Sequence, residues 1–204
     1  MAHIPDGVLS LPVLAASGVV AAGLTLVAVK RMDYDRIPQA AVLAAAFFVA
    51  SLVTVPVGPS SVHLILNGLM GALLGWAAVP ALLVALCMQA VFFGYGGLSV
   101  LGVNALNLAL PALLCAWLIA PRLRAAQGRA VLYWGAAAGA LGVGLTGIMV
   151  MLSLVASGPE YLPAGRVILV TYLPLLLVEA AVTAWALSFM KRVAPELLTP
   201  GENE

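Results

Sequence analysis

Charge is what this sequence most lacks. Only 8% of its 204 residues are Asp, Glu, Lys or Arg, against about 25% in an ordinary soluble domain. Between Arg36 and Arg122 not one of the four occurs, while 64% of the chain is hydrophobic. That stretch alone is long enough for about four membrane helices at roughly 20 residues each. A surface so poor in polar groups excludes a water-soluble domain. The alternating pattern that would mark a membrane barrel is also missing. Cysteine is scarce too: Cys87 and Cys115 both lie in apolar runs and read as two buried thiols, packed as small hydrophobes. The net charge of +1 gives no reason to expect nucleic acid or an acidic substrate. A G-x-x-x-x-G-K-[ST] phosphate loop is absent, so the chain does not hydrolyse ATP itself. Finally, no positive charge precedes the first apolar run. Lys30 and Arg31 follow it, the reverse of a secretory signal, and the run reads as a retained first span.

What is there points to an all-α fold, a polytopic membrane bundle. Apolar runs punctuated by Pro, Gly and charge predict seven spans, at 8–29, 37–56, 62–79, 80–94, 98–121, 131–156 and 166–190. The fourth is short. One membrane-embedded domain covers 1–204, with 193–204 a polar cytoplasmic tail. Lys30, Arg31 and Arg36 follow span one, Arg122, Arg124 and Arg129 follow span five, and Lys191 and Arg192 follow span seven. Arg166 alone falls on the other side, so eight of the nine Lys and Arg residues share one face. The positive-inside rule makes that face cytoplasmic and puts the amino terminus outside.

Histidine is as rare as cysteine, with His3 and His63 the only two. His3 precedes span one. His63 is expected to open span three after the loop "VGPSS", so both imidazoles are predicted on the outer face. Imidazole is a common ligand of mid-row transition metals. A terminal histidine is ordinarily solvated and idle, and one at a helix start is ordinarily a cap; the shared side weighs against both readings.

The amino terminus enlarges the donor set. Ala2 is small, and an initiator Met is generally trimmed before a small residue. Trimming leaves the Ala2 amine, the His3 amide nitrogen and the His3 imidazole to chelate in one plane, with His63 at the fourth corner. Tetragonal nitrogen coordination suits Ni(II) or Cu(II) better than Zn(II), Mg(II) or Ca(II). If Met1 stays, Met1-Ala2-His3 fills a plane by itself and His63 is a bystander.

Three stretches then carry a resemblance. "HIPDGVLS", "SSVHLILNGLMGALLG" and "MQAVFFGYGGLSVLGVNALNLALP" resemble, in order, motifs of the CbiM/NikM family, and the likeness continues weakly to "VEAAVTAWALSFMKRVAPELL". Members are substrate-specific components of energy-coupling factor transporters for cobalt and nickel. The resemblance implies a seven-helix component that captures Co(II) or Ni(II) at its outer face through the terminal amine, the amide and imidazole of the second residue, and a later histidine. Those positions are Ala2, His3 and His63 here. It implies no resident cofactor, because the metal is cargo. It also implies partners: a transmembrane coupling subunit, ATPase subunits and a small accessory membrane subunit, in a bacterial cytoplasmic membrane. Relatives usually begin Met-His, so Ala2 departs from the pattern and trimming restores the register. The stretch "TYLPLLLVEAA" departs as well, where relatives often carry His and Gly.

Other residues carry weaker expectations. Asn67, placed one helical turn after His63, is a candidate to orient it or an interhelical hydrogen-bonder. Ser61 and Asp6 are near the site in sequence. Glu179 is the one acid expected inside the membrane and thus a functional candidate, or a neutral structural group. Asn104 and Asn107 are expected to bond between helices. Gly71-xxx-Gly75 and Gly135-xxx-Gly139 permit close helix approach; the small-residue run from Ala15 to Ala22 is a contact face that either packs within the bundle or, as the resemblance implies, docks the coupling subunit. Three rival functions stand beside metal capture: a stand-alone carrier coupled to protons through Glu179, an intramembrane serine protease using Ser60 or Ser61 with His63, and a structural adaptor. Neither serine lies in a G-x-S-x-G elbow.

Overall fold

The structure is a computed structural model that describes residues 4–52, 54–57 and 60–198, with 54–57 and 60–62 described by their backbone alone. Among the described residues eight α-helices follow one another: α1 (Leu11–Arg31), α2 (Ile37–Ala50), α3 (Asn67–Leu74), α4 (Ala78–Phe93), α5 (Leu101–Leu118), α6 (Ala120–Ala125), α7 (Arg129–Ser157) and α8 (Leu162–Val193). Proline near the first turn starts α1, α2, α6 and α8, where its missing N–H would be unpaired in any case. Basic residues close α1, α6 and α8, complementing the negative end of the helix dipole.

Among the described residues five segments are long and apolar enough to cross a membrane: Leu11–Arg31, Asn67–Phe93, Leu101–Leu118, Arg129–Ser157 and Pro159–Val193. The all-α membrane class therefore holds. The second of these segments is not one rod. As a straight helix its 27 residues would span about 40 Å. Yet His63, just before it, stacks on Tyr95, just after it, with ring centroids 6.4 Å apart. The chain doubles back at the Gly75–Ala77 turn, where Gly75 has φ +55°. So α3 descends and α4 returns.

Side-chain contacts fix the two ends of the bundle. At one end Arg36 reaches the Leu73 and Leu197 carbonyls, Lys191 reaches those of Leu123 and Arg124, and Arg31 lies over Trp76. At the other end lie the His63–Tyr95 stack, the Phe48–Phe93 stack and the Ile4–Asn104 hydrogen bonds. The helices α1, α2, α3, α4, α5, α7 and α8 thus alternate in direction between a cation-rich end and a histidine end.

Several expected boundaries move. The second and third spans were read as 37–56 and 62–79, but α2 stops at Ala50 and α3 starts at Asn67. Between them β1 (Thr54–Val57) pairs antiparallel with β2 (Ser60–His63), with Thr54 opposite His63. The cause is local. Val53, Thr54, Val55, Val57 and Val62 are β-branched and favour extended backbone, and Pro56 and Pro59 cannot donate within a helix. Span five ends at Leu118 instead of 121, because Pro121 belongs to the separate helix α6. The seventh span is longer than 166–190 at both ends. The start of the expected polar tail is packed: Leu198 is buried, and Arg36, Gln39 and Arg124 hydrogen-bond the Leu197 and Leu198 carbonyls. Residues 199–204 of that tail lie outside the described residues.

Every residue of α3 is buried, and glycine makes that possible. A Cβ at Gly68 would collide with the Ala138 carbonyl of α7, and one at Gly71 with the Ala112 carbonyl of α5. Gly135 and Gly139 seat α7 against Ala184 and Glu179 of α8, and Gly18 of α1 meets Gly102 of α5. Of the small-residue run on α1, Gly18 packs inside the bundle, while Ala15, Ala16 and Ala22 stay exposed.

Candidate metal centre

The histidine end is built from three pieces: the strand carrying His63, the loop 94–100, and the amino-terminal segment. Gly94, Gly96 and Gly97 all take positive φ, so the loop makes turns that other residues resist. It holds both other pieces. Tyr95 stacks on the His63 ring with an 8° interplanar angle. Next to it, the Gly96 carbonyl accepts the Asp6 N–H at 3.1 Å, and Ser99 Oγ donates to the Asp6 carboxylate. A Cβ at Gly97 would strike that carboxylate, so only glycine lets Asp6 lie over the loop.

Asn104 completes the clamp. Its Oδ1 accepts the Ile4 N–H and its Nδ2 donates to the Ile4 carbonyl, both at 3.1 Å. Ile4 and Leu9 then bury their side chains among Val100, Val103, Val150 and Leu154. A bidentate backbone clamp plus an apolar plug holds residues 4–9 in place. Asn104 was expected to bond between helices and instead binds the chain's first described residue. The signal available in sequence was only that an Asn in an apolar helix must find a partner. Asn107 does bond between helices, accepting from Ser153 Oγ of α7.

His63 is 2% exposed. Its Nδ1 lies 2.8 Å from the Leu64 carbonyl. A carbonyl only accepts, so Nδ1 carries the proton and Nε2 of the neutral ring presents its lone pair. Burial pushes the His63 pKa below its ordinary value, which keeps the ring neutral. A hydrogen bond from one ring nitrogen that orients the other is the usual arrangement of a metal-binding imidazole.

His63 does not open a helix as expected. It ends β2, and Leu64–Leu66 lead into α3 with Leu66 at φ +52°. Glu179 of α8 secures this turn, accepting from the N–H groups of Ile65 and Leu66, the latter at 3.0 Å. The carboxylate is fully buried and sits where the positive end of the α3 dipole needs it. The intramembrane acid thus anchors the backbone two and three residues beyond His63.

Asn67 is not on a shared helical face with His63, because His63 is extended. Its Nδ2 donates to the Leu108 carbonyl at 3.2 Å and to Thr146 Oγ1 at 2.8 Å, tying α3 to α5 and α7. Ser61 pairs with Pro56 in the hairpin, and its side chain lies outside the described residues. Ala2 and His3, like Met1, lie outside them too. Among the described residues no group of three or more His, Cys, Asp or Glu forms a metal cluster; His63 is the one site imidazole described. Cys87 and Cys115 are free thiols; Cys115 is buried as expected, but Cys87 is only partly buried.

Apolar helices long enough to cross a membrane, packed in one bundle with a buried imidazole at one end, define a multi-pass helical membrane protein. Comparison with known proteins narrows this. Residues 3–197 match the CbiM family model, described as the cobalt uptake substrate-specific transmembrane region. The chain belongs to this family and is a cobalt/nickel transport component. A putative metal transport protein of Haemophilus influenzae is 38% identical over 98% of both chains. A fused nickel transport protein, NikMN, of Rhodobacter capsulatus is 33% identical over 97% of this chain and 64% of its own. The crystal structure of a truncated transition metal transporter superposes with a TM-score of 0.79 at 26% identity, covering 93% of this chain and 98% of that one.

Proposed function

We propose that this protein is the metal-capturing membrane component of an ATP-driven energy-coupling factor uptake system, with Co(II) or Ni(II) as cargo and no resident cofactor. The donors are the Ala2 amine once Met1 is removed, the His3 amide and imidazole nitrogens, and His63 Nε2. The supporting observation is the clamp. Asn104 grips Ile4, one residue after His3, and successive Cα atoms are only about 3.8 Å apart. The loop that receives Asp6 also stacks on His63. The capture face is the outer one, since the cation-rich end is the cytoplasmic end by the positive-inside rule.

Family relatives named for nickel and for cobalt transport support both metals as cargo. The planar nitrogen set favours nickel. Glu179, Asn67 and Asp6 shape the site through the backbone, with Ser61 on the same hairpin. Uptake requires a transmembrane coupling subunit, ATPase subunits and a small accessory membrane subunit in the bacterial cytoplasmic membrane; this chain binds and does no chemistry. A proton-coupled carrier would need Glu179 to exchange protons with water, and its full burial against two amides does not favour that role.

The test is intact-mass analysis of the purified protein together with metal quantification. The expected result is a chain lacking Met1 that holds one Ni(II) or Co(II), lost in His63→Ala. A chain retaining Met1 that holds metal regardless of His63 overturns the four-nitrogen site. ATP-independent uptake into vesicles, abolished by Glu179→Gln, would establish the carrier instead.

A further inference from the structure

At the cation-rich end, α1, the Gly75–Ala77 turn, α5 and α6 enclose a cleft of about 650 Å³ that the capture site does not use. Its polar wall is two guanidinium groups, Arg31 at the end of α1 and Arg124 in α6, with no Asp or Glu among the lining residues. Its floor is one face of α5, formed by Leu110, Leu113, Leu114 and Trp117, at the i, i+3, i+4, i+7 spacing of a helical stripe. Trp76 closes the far side beneath the Arg31 guanidinium, 4.9 Å from the ring centroid. Arg124 is held by its Nε donating to the Leu198 carbonyl at 3.0 Å.

We propose that this cleft binds an anionic phospholipid. The cleft is graded along its length: cations at the end of the bundle, tryptophan at the boundary, and leucines running into the apolar layer. A phospholipid has the same gradient, with a phosphate at the headgroup, then glycerol, then acyl chains. Tryptophan favours the headgroup boundary, and basic pockets between membrane helices on the cytoplasmic side recognise anionic headgroups. A planar guanidinium pairs with phosphate through two N–H donors at once. The stacked Trp76 holds Arg31 in place at little entropic cost when it does so. A free phosphate would satisfy the two arginines and leave the leucine floor uncovered, so the apolar wall selects the lipid over the ion. The bound lipid would brace the Gly75 turn, from which α3 rises toward His63.

The test is native mass spectrometry of the full chain released from micelles containing phosphatidylglycerol, with phosphatidylcholine and inorganic phosphate as separate arms. The expected result is one phosphatidylglycerol retained per chain, with phosphatidylcholine binding weaker by about tenfold or more and millimolar phosphate failing to displace the lipid. Arg31→Gln, on an exposed side chain, should reduce retention about as far, and Arg124→Gln should add to the loss. Arg129→Gln, on the same end and outside the cleft, should change nothing. Equal retention of phosphatidylcholine, displacement by phosphate, no retention at all, or an equal loss in Arg129→Gln would each overturn the proposal. Loss of metal binding in the wild-type protein would bear on the capture site alone and leave this result standing.

Discussion

Single residues decide whether the histidine end works. Replacing Glu179 by Ala leaves the Ile65 and Leu66 amides buried without their acceptor, at about 1–3 kcal/mol for each unsatisfied group. A clear drop in thermal unfolding temperature in detergent is expected for Glu179→Ala and a smaller one for Glu179→Gln, which keeps a carbonyl to accept with. Equal stability in all three proteins would refute the anchoring role. Protons would compete with metal for the donors of the proposed site. A free α-amine ordinarily protonates at about 7.7–8.0 and a free imidazole near 6.5, and both would then lose the lone pair a metal needs. His63, whose pKa burial lowers, gains a proton only below its ordinary range. Metal affinity in the proposed site should therefore fall already between about pH 8 and 6. A pH titration followed by calorimetry reads this directly; an affinity flat across that window would exclude the amine as a ligand. Glu179 illustrates how far sequence goes at this scale. Its presence inside the membrane was legible, but its partners are backbone amides more than a hundred residues away, which no local pattern records.

At the scale of elements, α3 is the piece on which the others depend. It is short and fully buried, and it sits against α5 and α7 with glycine backbones in contact. Gly71→Ala drives a methyl into the Ala112 carbonyl. It should cost about 1–3 kcal/mol, as overpacking generally does, or prevent folding altogether. Gly23→Ala in α1 meets nothing within 4 Å and should be neutral or stabilising by up to about 1 kcal/mol through helix propensity. Parallel thermal melts of the two variants make the comparison; similar behaviour would mean the helices are not this close. The Gly71-xxx-Gly75 motif was readable as a contact face. That Gly71 packs while Gly75 turns the chain was not, because a small residue serves a crossing and a reversal equally well. The hairpin before α3 was missed for a similar reason. A window averaged for hydrophobicity scores "LVTVPV" as membrane helix, although its β-branched and proline content favours a strand.

The whole molecule has a polarity set by charge. Eight of nine cations gather at one end, where two of them bind carbonyls left open at helix ends, Lys191 for α6 and Arg36 for α3. Orientation can be tested with single cysteines in a chain whose Cys87 and Cys115 are replaced. Tyr34→Cys, at an exposed position of the cation end, should react with an impermeant thiol reagent only after the membrane is opened. Glu160→Cys, at the exposed turn between α7 and α8, should react in intact cells. The reverse pattern would put the histidine end inside and rule out capture from outside.

The sequence by itself determined the membrane-helical class, the end-to-end charge asymmetry and the placement of both histidines before apolar segments. These follow from composition and order along the chain, because transfer into lipid is governed by how long an uncharged run lasts. Only the tertiary structure decided that residues 67–93 fold back, that Glu179 closes the turn after His63, and that Asn104 grips Ile4. Each of these is a hydrogen-bonded or backbone contact between residues distant in sequence. In an apolar interior such contacts are set by which polar groups must find a partner, and that is known only once the helices are packed.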